Sequence, residues 1–127
     1  GAYYSDSAAE LMADIATDSG TIHIVNTRNN GAIPDYPDDV VMEIPAIIDR
    51  TGAHSIKSTG LREDMRNLIS SVKEFELLTI QAAMSGSEEM ARDALLANPL
   101  GPTEEIVDDL WIRLKDVNKG LLGAFNG

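Results

Sequence analysis

The chain contains no cysteine. That excludes a disulfide framework and any thiolate metal site built from its own residues, and it is compatible with a reducing cytoplasm. Histidine is almost as scarce. His23 and His54 are the only two, and neither sits at an H-x-x-x-H or H-x-x-E spacing, so no metal ligand is assigned. No apolar run approaches the roughly 18 residues of a membrane span. No basic segment followed by an apolar one opens the sequence as an export signal would. There is no G-x-S-x-G elbow, no phosphate-binding P-loop and no G-x-G-x-x-G fingerprint, so the chain alone is not expected to bind a dinucleotide. Positive charge is also in short supply. Ten Lys and Arg stand against 21 Asp and Glu, a net charge of −11. Such a surface repels a phosphate backbone and an anionic bilayer, so neither nucleic acid nor a membrane is expected as a partner. A phosphorylated sugar remains compatible, because a few local cations outweigh a distant net charge.

What is present fits one domain over residues 1–127, large enough to bury a core without staples. Ser7 and Glu10 have the spacing of a capping box, and Ala8, Leu11, Met12 and Ile15 follow at helical intervals. Gly20 is placed as the glycine that ends this helix. Residues 21–27 are rich in β-branched side chains and alternate like a strand, with Ile22 and Ile24 on one face and His23 and Val25 on the other. Asn30-Gly31 signals a turn. Residues 40–48 form a second strand with Met42, Ile44, Ala46 and Ile48 on one face, and Pro45, which has no N–H, assigns it to an edge or a break. Residues 54–57 are a short third strand. The second half is helical. Leu61, Met65, Leu68, Ile69, Val72, Phe75 and Leu78 mark a long amphipathic helix ending near Gly86. Ser87 caps a short helix stopped by Asn98-Pro99. Thr103 caps a last one, with Ile106, Val107, Leu110, Leu114 and Val117 as its buried stripe and Gly120 at its end. The expected fold class is α+β, a small sheet of two to three strands packed with about four helices.

The paired acids Asp38-Asp39, Glu88-Glu89, Glu104-Glu105 and Asp108-Asp109 fall at helix starts or on solvated faces. Adjacent helical residues do not face each other, so these are poor catalytic dyads. The segment Asn26-Thr27-Arg28-Asn29-Asn30-Gly31 is different. It gathers side-chain amides and a guanidinium at the end of a strand, groups that bind hydroxyls and phosphate. An ordinary polar turn would use the same residues. Tyr3 and Tyr4 read as aromatic packing or as phenolic acid/base groups.

Residues 22–45 resemble a signature of glycoside hydrolase family 4, which in its 6-phospho-β-glucosidases reads I-H-x-V-N-T-R-N-N-G-x-I-x-x-L-P-D-D-x-V-x-E-x-P. The opening G-A-Y-Y-S, the K-E-F-E-L-L-T of residues 73–79 and the N-P-L-G-P of residues 98–102 resemble further segments of those enzymes, collinear to about Asn118. Tyr36 stands where Leu is usual, Ala46 where many relatives have Cys, and Leu77 where Arg is usual. The tail, residues 121–127, lacks the tyrosine-containing ending of the relatives.

The resemblance implies a fold like the C-terminal domain of lactate/malate dehydrogenase-like family 4 glycosidases. It also implies a fragment, because the Rossmann domain that binds NAD and holds a divalent metal, usually Mn2+, would lie before residue 1. The implied activity is hydrolysis of phosphorylated β-glucosides by oxidation at C3, removal of the C2 proton, elimination, water addition and return of the hydride. This family is an exception to the two-carboxylate scheme. A tyrosine is the implied base and is expected upstream of Gly1, so no catalytic residue is assigned in this chain, which is expected to be inactive alone. Asn26, Arg28, Asn29 and Asn30 are the candidate substrate-binding residues. The implied partners are a phosphorylated sugar and the chain's own N-terminal NAD-binding domain. Two alternatives stand beside this reading. One is a non-catalytic scaffold or homo-oligomerisation domain using the apolar helix stripes; the other is an α-specific 6-phospho-glycosidase of the same family.

Overall fold

The computed structural model describes residues 3–125; Gly1 and Ala2 of the G-A-Y-Y-S segment and the last two residues of the tail lie outside the described range. The chain divides into two compact units, Gly1–Leu61 and Arg62–Gly127.

The first unit holds α1 (Tyr4–Thr17), β1 (Thr21–Arg28), β2 (Val41–Asp49) and β3 (Gly52–Ser55). The three strands form one antiparallel sheet in the order β1-β2-β3. Alternation decides what each strand buries. On β2, Met42, Ile44, Ala46 and Ile48 are buried as their spacing predicts, and Ala32 and Ile33 of the preceding loop are buried too. On β1 it is His23, Val25 and Thr27 that are half-buried, while Ile22 and Ile24 are exposed.

The structure departs from the sequence pattern at three places. β2 is the central strand, not an edge. Pro45 is tolerated because its carbonyl accepts from Ile56 N–H at 2.9 Å. In an antiparallel strand the N and O of one residue point to the same neighbour. The missing N–H therefore faces the short β3, at a level where that strand has ended, and costs no bond to β1. Helix α1 begins at Tyr4 with Tyr3 as its uncapped N-terminal neighbour, so Ser7 and Glu10 form no capping box. It ends at Asp18 in the left-handed conformation (φ 59°), two residues before Gly20, whose N–H instead bonds Ile48 O. Asp18 also ties the helix end to the β2–β3 turn. Its carboxylate accepts from the Arg50 backbone N–H at 3.0 Å and pairs with the Arg50 guanidinium at 3.1 Å. No residue of α1 is buried; Leu11 and Asp14 are half-buried.

The second unit holds α2 (Glu63–Ser85), α3 (Glu88–Ala97), α4 (Val107–Val117) and a 3₁₀ turn (Gly123–Phe125). Gly86 ends α2 at φ 71°, as expected, and the Ser87 hydroxyl caps α3 by accepting from Met90 N–H. Thr103 does not cap α4. Its carbonyl, not its hydroxyl, closes the turn by accepting from Ile106 and Val107, and the helix begins at Val107 with Asp108 and Asp109 in its first turn. The buried side of α2 runs through half-buried Ile69, Val72, Phe75 and Leu78 to buried Ala82, whereas Met65 and Leu68 are exposed. Trp111 of α4 packs edge-on against Phe125, with ring centres 5.3 Å apart. Its indole N–H and the Lys115 ammonium both donate to Glu88.

Candidate functional site

The polar segment sits where β1 leaves the sheet. Arg28 is the last residue of β1, and its carbonyl accepts from the Ser55 hydroxyl at 3.1 Å. The chain then turns through Asn30 (φ 45°) and Gly31 (φ 75°), two successive left-handed residues that Asn-Gly supplies readily. The loop is pinned at its base by Asn29 N–H to Val40 O at 2.8 Å and Asn30 N–H to Asp38 O at 3.0 Å.

Asn29 has a different place from the one the sequence suggested. It is fully buried, and its side chain is spent inside the loop. Its amide nitrogen donates to the carbonyls of Ile33, Tyr36 and Pro37 at 3.0, 2.8 and 3.2 Å. Its amide oxygen accepts from Ile33 N–H at 2.8 Å. With both polar atoms engaged behind the loop, this side chain shapes the loop that carries its neighbours. The sequence signal for this was ambiguous, because Asn serves turns and ligands alike.

The other candidates are exposed. Alternation places Ile22, Ile24, Asn26 and Arg28 on the outer face of β1, and the register sets them opposite Ile47, Pro45, Glu43 and Val41 of β2. Asn30 is exposed in the loop beyond. The structure therefore groups Asn26 and Arg28 on one sheet face, adds Glu43 directly across from Asn26, and separates Asn29 from them. Glu43 was missed at the sequence level because a partner twelve or more residues away is set by pairing register, which no local pattern reveals. Among the described residues, the side chains of Asn26, Arg28 and Glu43 make no hydrogen bond or ion pair with one another or with other groups. A cation, an amide and a carboxylate thus lie side by side, each with its bonding capacity unspent. That set can take an anionic group on Arg28 and hydroxyls on Asn26 and Glu43.

Among the described residues, no three His, Asp or Glu side chains converge into a metal site. His23 and Asp14 form a pair, with Nε2 to Oδ2 at 2.6 Å. His54 pairs with Asp49 at 2.9 Å in the β2–β3 hairpin. No helix among the described residues is long and apolar enough to cross a membrane.

The model of the family 4 glycosyl hydrolase C-terminal domain matches residues 1–101. A 6-phospho-beta-glucosidase of Thermotoga maritima is 42% identical over 94% of this chain and 29% of its own length. Its structure with manganese, NAD+ and glucose-6-phosphate superposes with a TM-score of 0.88 over the same shares. A probable 6-phospho-beta-glucosidase of Bacillus subtilis is 35% identical over 98% of this chain and 28% of its own. An alpha-glucosidase of Erwinia rhapontici is 34% identical over 73% and 20%. The chain thus spans less than a third of the length of these relatives.

Proposed function

Because the chain belongs to the family 4 glycosyl hydrolases and matches their C-terminal domain, we propose that it is part of an NAD- and divalent-metal-dependent 6-phospho-β-glucosidase. The observation that carries this reading is the likeness to the Thermotoga enzyme, which extends over nearly the whole chain and whose structure holds all three small molecules of the scheme. Hydrolysis would run by oxidation, elimination and addition. The redox and Lewis-acid parts of that scheme belong to groups held elsewhere in the enzyme, since this chain offers neither a dinucleotide fingerprint nor a metal cluster among its described residues.

The part of this chain in the reaction is recognition. Arg28 binds the sugar phosphate, because a guanidinium forks onto two phosphate oxygens and here pairs with no carboxylate among the described residues. Asn26 and Asn30 bind hydroxyls beside it. Asn29 fixes the loop and so the direction in which Arg28 and Asn30 point. The likeness to the Erwinia alpha-glucosidase supports a second reading, an α-specific activity on the same scaffold. A scaffold or oligomerisation role is the reading left if no glycosidase activity is found.

The test is nitrophenol release from the 6-phospho-β-glucoside by the full-length enzyme, with manganese and with or without NAD. Release that needs both supports the proposal. Release without NAD overturns it, and cleavage of the α-anomer alone selects the second reading. In the same assay Arg28→Ala is expected to lower kcat/KM by about 10- to 100-fold, the effect of losing a charged hydrogen bond worth about 1.5–3 kcal/mol. An unchanged kcat/KM removes Arg28 from the site.

A further inference from the structure

The outer face of the three-stranded sheet is apolar at one end of the β1–β2 pair, beside His54 of β3, which lies across from Ile47. Ile22 and Ile24 of β1 are 60% and 64% exposed, and Ile47, opposite Ile22, is 42% exposed. Pro45, opposite Ile24, is exposed as well. Single exposed isoleucines are ordinary. Four apolar side chains in register across two neighbouring strands form a continuous patch, which a protein in water keeps only where something covers it. The opposite face is already buried on β2 and half-buried on β1. β2 therefore reads Ile44-Pro45-Ala46-Ile47-Ile48, apolar on both sides, and such a continuous run marks a strand buried on both faces.

We infer that this outer face is the surface on which the rest of the enzyme's own polypeptide docks, with Ile22, Ile24, Pro45 and Ile47 at the centre of the contact. Two observations favour that occupant. The relatives have about 70% of their length outside the part this chain matches, which is ample to cover such a face. A second copy of this chain would instead bring a net charge of −11 against another −11, and that repulsion opposes self-association. The four residues themselves carry no charge, with the His54–Asp49 pair at the β3 edge of the patch, and an apolar centre with a polar rim is the anatomy of a protein contact. Along the sheet the patch gives way to Asn26 and Glu43 and then to Arg28. The docked segment would end beside these residues, and the ligand cleft would open at its rim. The inference rests on the reading of this chain as one part of a larger family 4 enzyme, not on which sugar that enzyme cleaves.

The test is carbene footprinting of the full-length protein, comparing labelling of Ile22, Ile24 and Ile47 in the native state with labelling in urea. The expected result is several-fold protection of all three in the native protein, unchanged on dilution to conditions where sedimentation shows a monomer. Native labelling equal to that in urea overturns the inference. Protection that disappears when an oligomer dissociates also overturns it, because a second copy is then the cover. Ile24→Glu should raise native labelling at Ile22 and Ile47; if that variant does not fold, the footprint of the unsubstituted protein still decides. The readout does not involve catalysis. Loss of the glycosidase reading in the activity assay therefore leaves the footprint standing, and the reverse holds too.

Discussion

Asp14 on α1 and His23 on β1 are joined by a contact of 2.6 Å between Oδ2 and Nε2, and both side chains are largely shielded, at 22% and 17% exposure. It links the first helix to the edge strand that carries Asn26 and Arg28. The hydrogen bond from His23, helped by one from Ser19, holds the Asp14 carboxyl below its ordinary value of 3.8. A carboxyl lowered in the folded state stabilises above its unfolded value, and that contribution is lost as pH falls through the lowered value.

The first prediction follows from this sign. The melting temperature of the native protein should exceed that of Asp14→Asn by a fixed margin above about pH 4–5. The margin should shrink as the pH drops below 3.8. Calorimetric scans from pH 6 down to pH 2 measure it, and a constant margin across that range would contradict the assignment.

A second carboxylate answers more strongly. Asp49 accepts from the backbone N–H and the hydroxyl of Thr51 at 2.7 and 2.6 Å. Those bonds, with His54 beside them, bring its pKa down to about 2. Thr51→Ala removes the largest of these contributions and should move the Asp49 titration upward toward 3.8. Carbon-13 detected NMR titration of the carboxyl reads the shift directly.

Asn29 gives the third prediction. Asn29→Ala removes the partner of Ile33 N–H and of the Tyr36 and Pro37 carbonyls, while the Ile33 carbonyl keeps its bond from Tyr36 N–H, and a buried group orphaned in this way costs about 1–3 kcal/mol. Urea unfolding should show a loss of at least about 1 kcal/mol. Asn29→Asp should cost no less, since a carboxylate cannot donate to the carbonyls of Ile33, Tyr36 and Pro37. Stability equal to the parent's in Asn29→Asp would mean that the loop does not depend on this side chain.

Gly86 gives the fourth. It sits at φ 71°, and a Cβ there would run into the carbonyl oxygen of Ala124. Gly120 has φ 89° but open space around it. Both alanine substitutions incur the left-handed cost of about 1–2 kcal/mol, while only Gly86→Ala adds a backbone clash. Thermal unfolding should therefore rank Gly86→Ala well below Gly120→Ala; equal losses would refute the contact between Gly86 and Ala124.

Much of this was legible locally. The alternation of Met42, Ile44, Ala46 and Ile48 states the buried face of β2 without any structure, because side chains of a strand alternate with a period of two. Ser87 and Gly86 announce the α2–α3 junction through cap chemistry that involves only near neighbours. Cap signals failed where they had competitors. Ser7 and Glu10 match a capping box but lie inside a helix that had already begun at Tyr4. Thr103 closes its turn through the backbone instead of the hydroxyl.

The sequence by itself determined the family, the α+β class and the Asn26–Gly31 segment as the place of interest, because a long collinear motif and local periodicity are properties of residue order. Only the tertiary structure decided that β2 is central, that Ile22 and Ile24 look outward, that Glu43 stands across from Asn26, and that Asn29 is folded behind the loop instead of beside Arg28. Periodicity fixes which residues share a face. Which face is covered, and which strand lies alongside, depends on contacts between residues far apart in the chain.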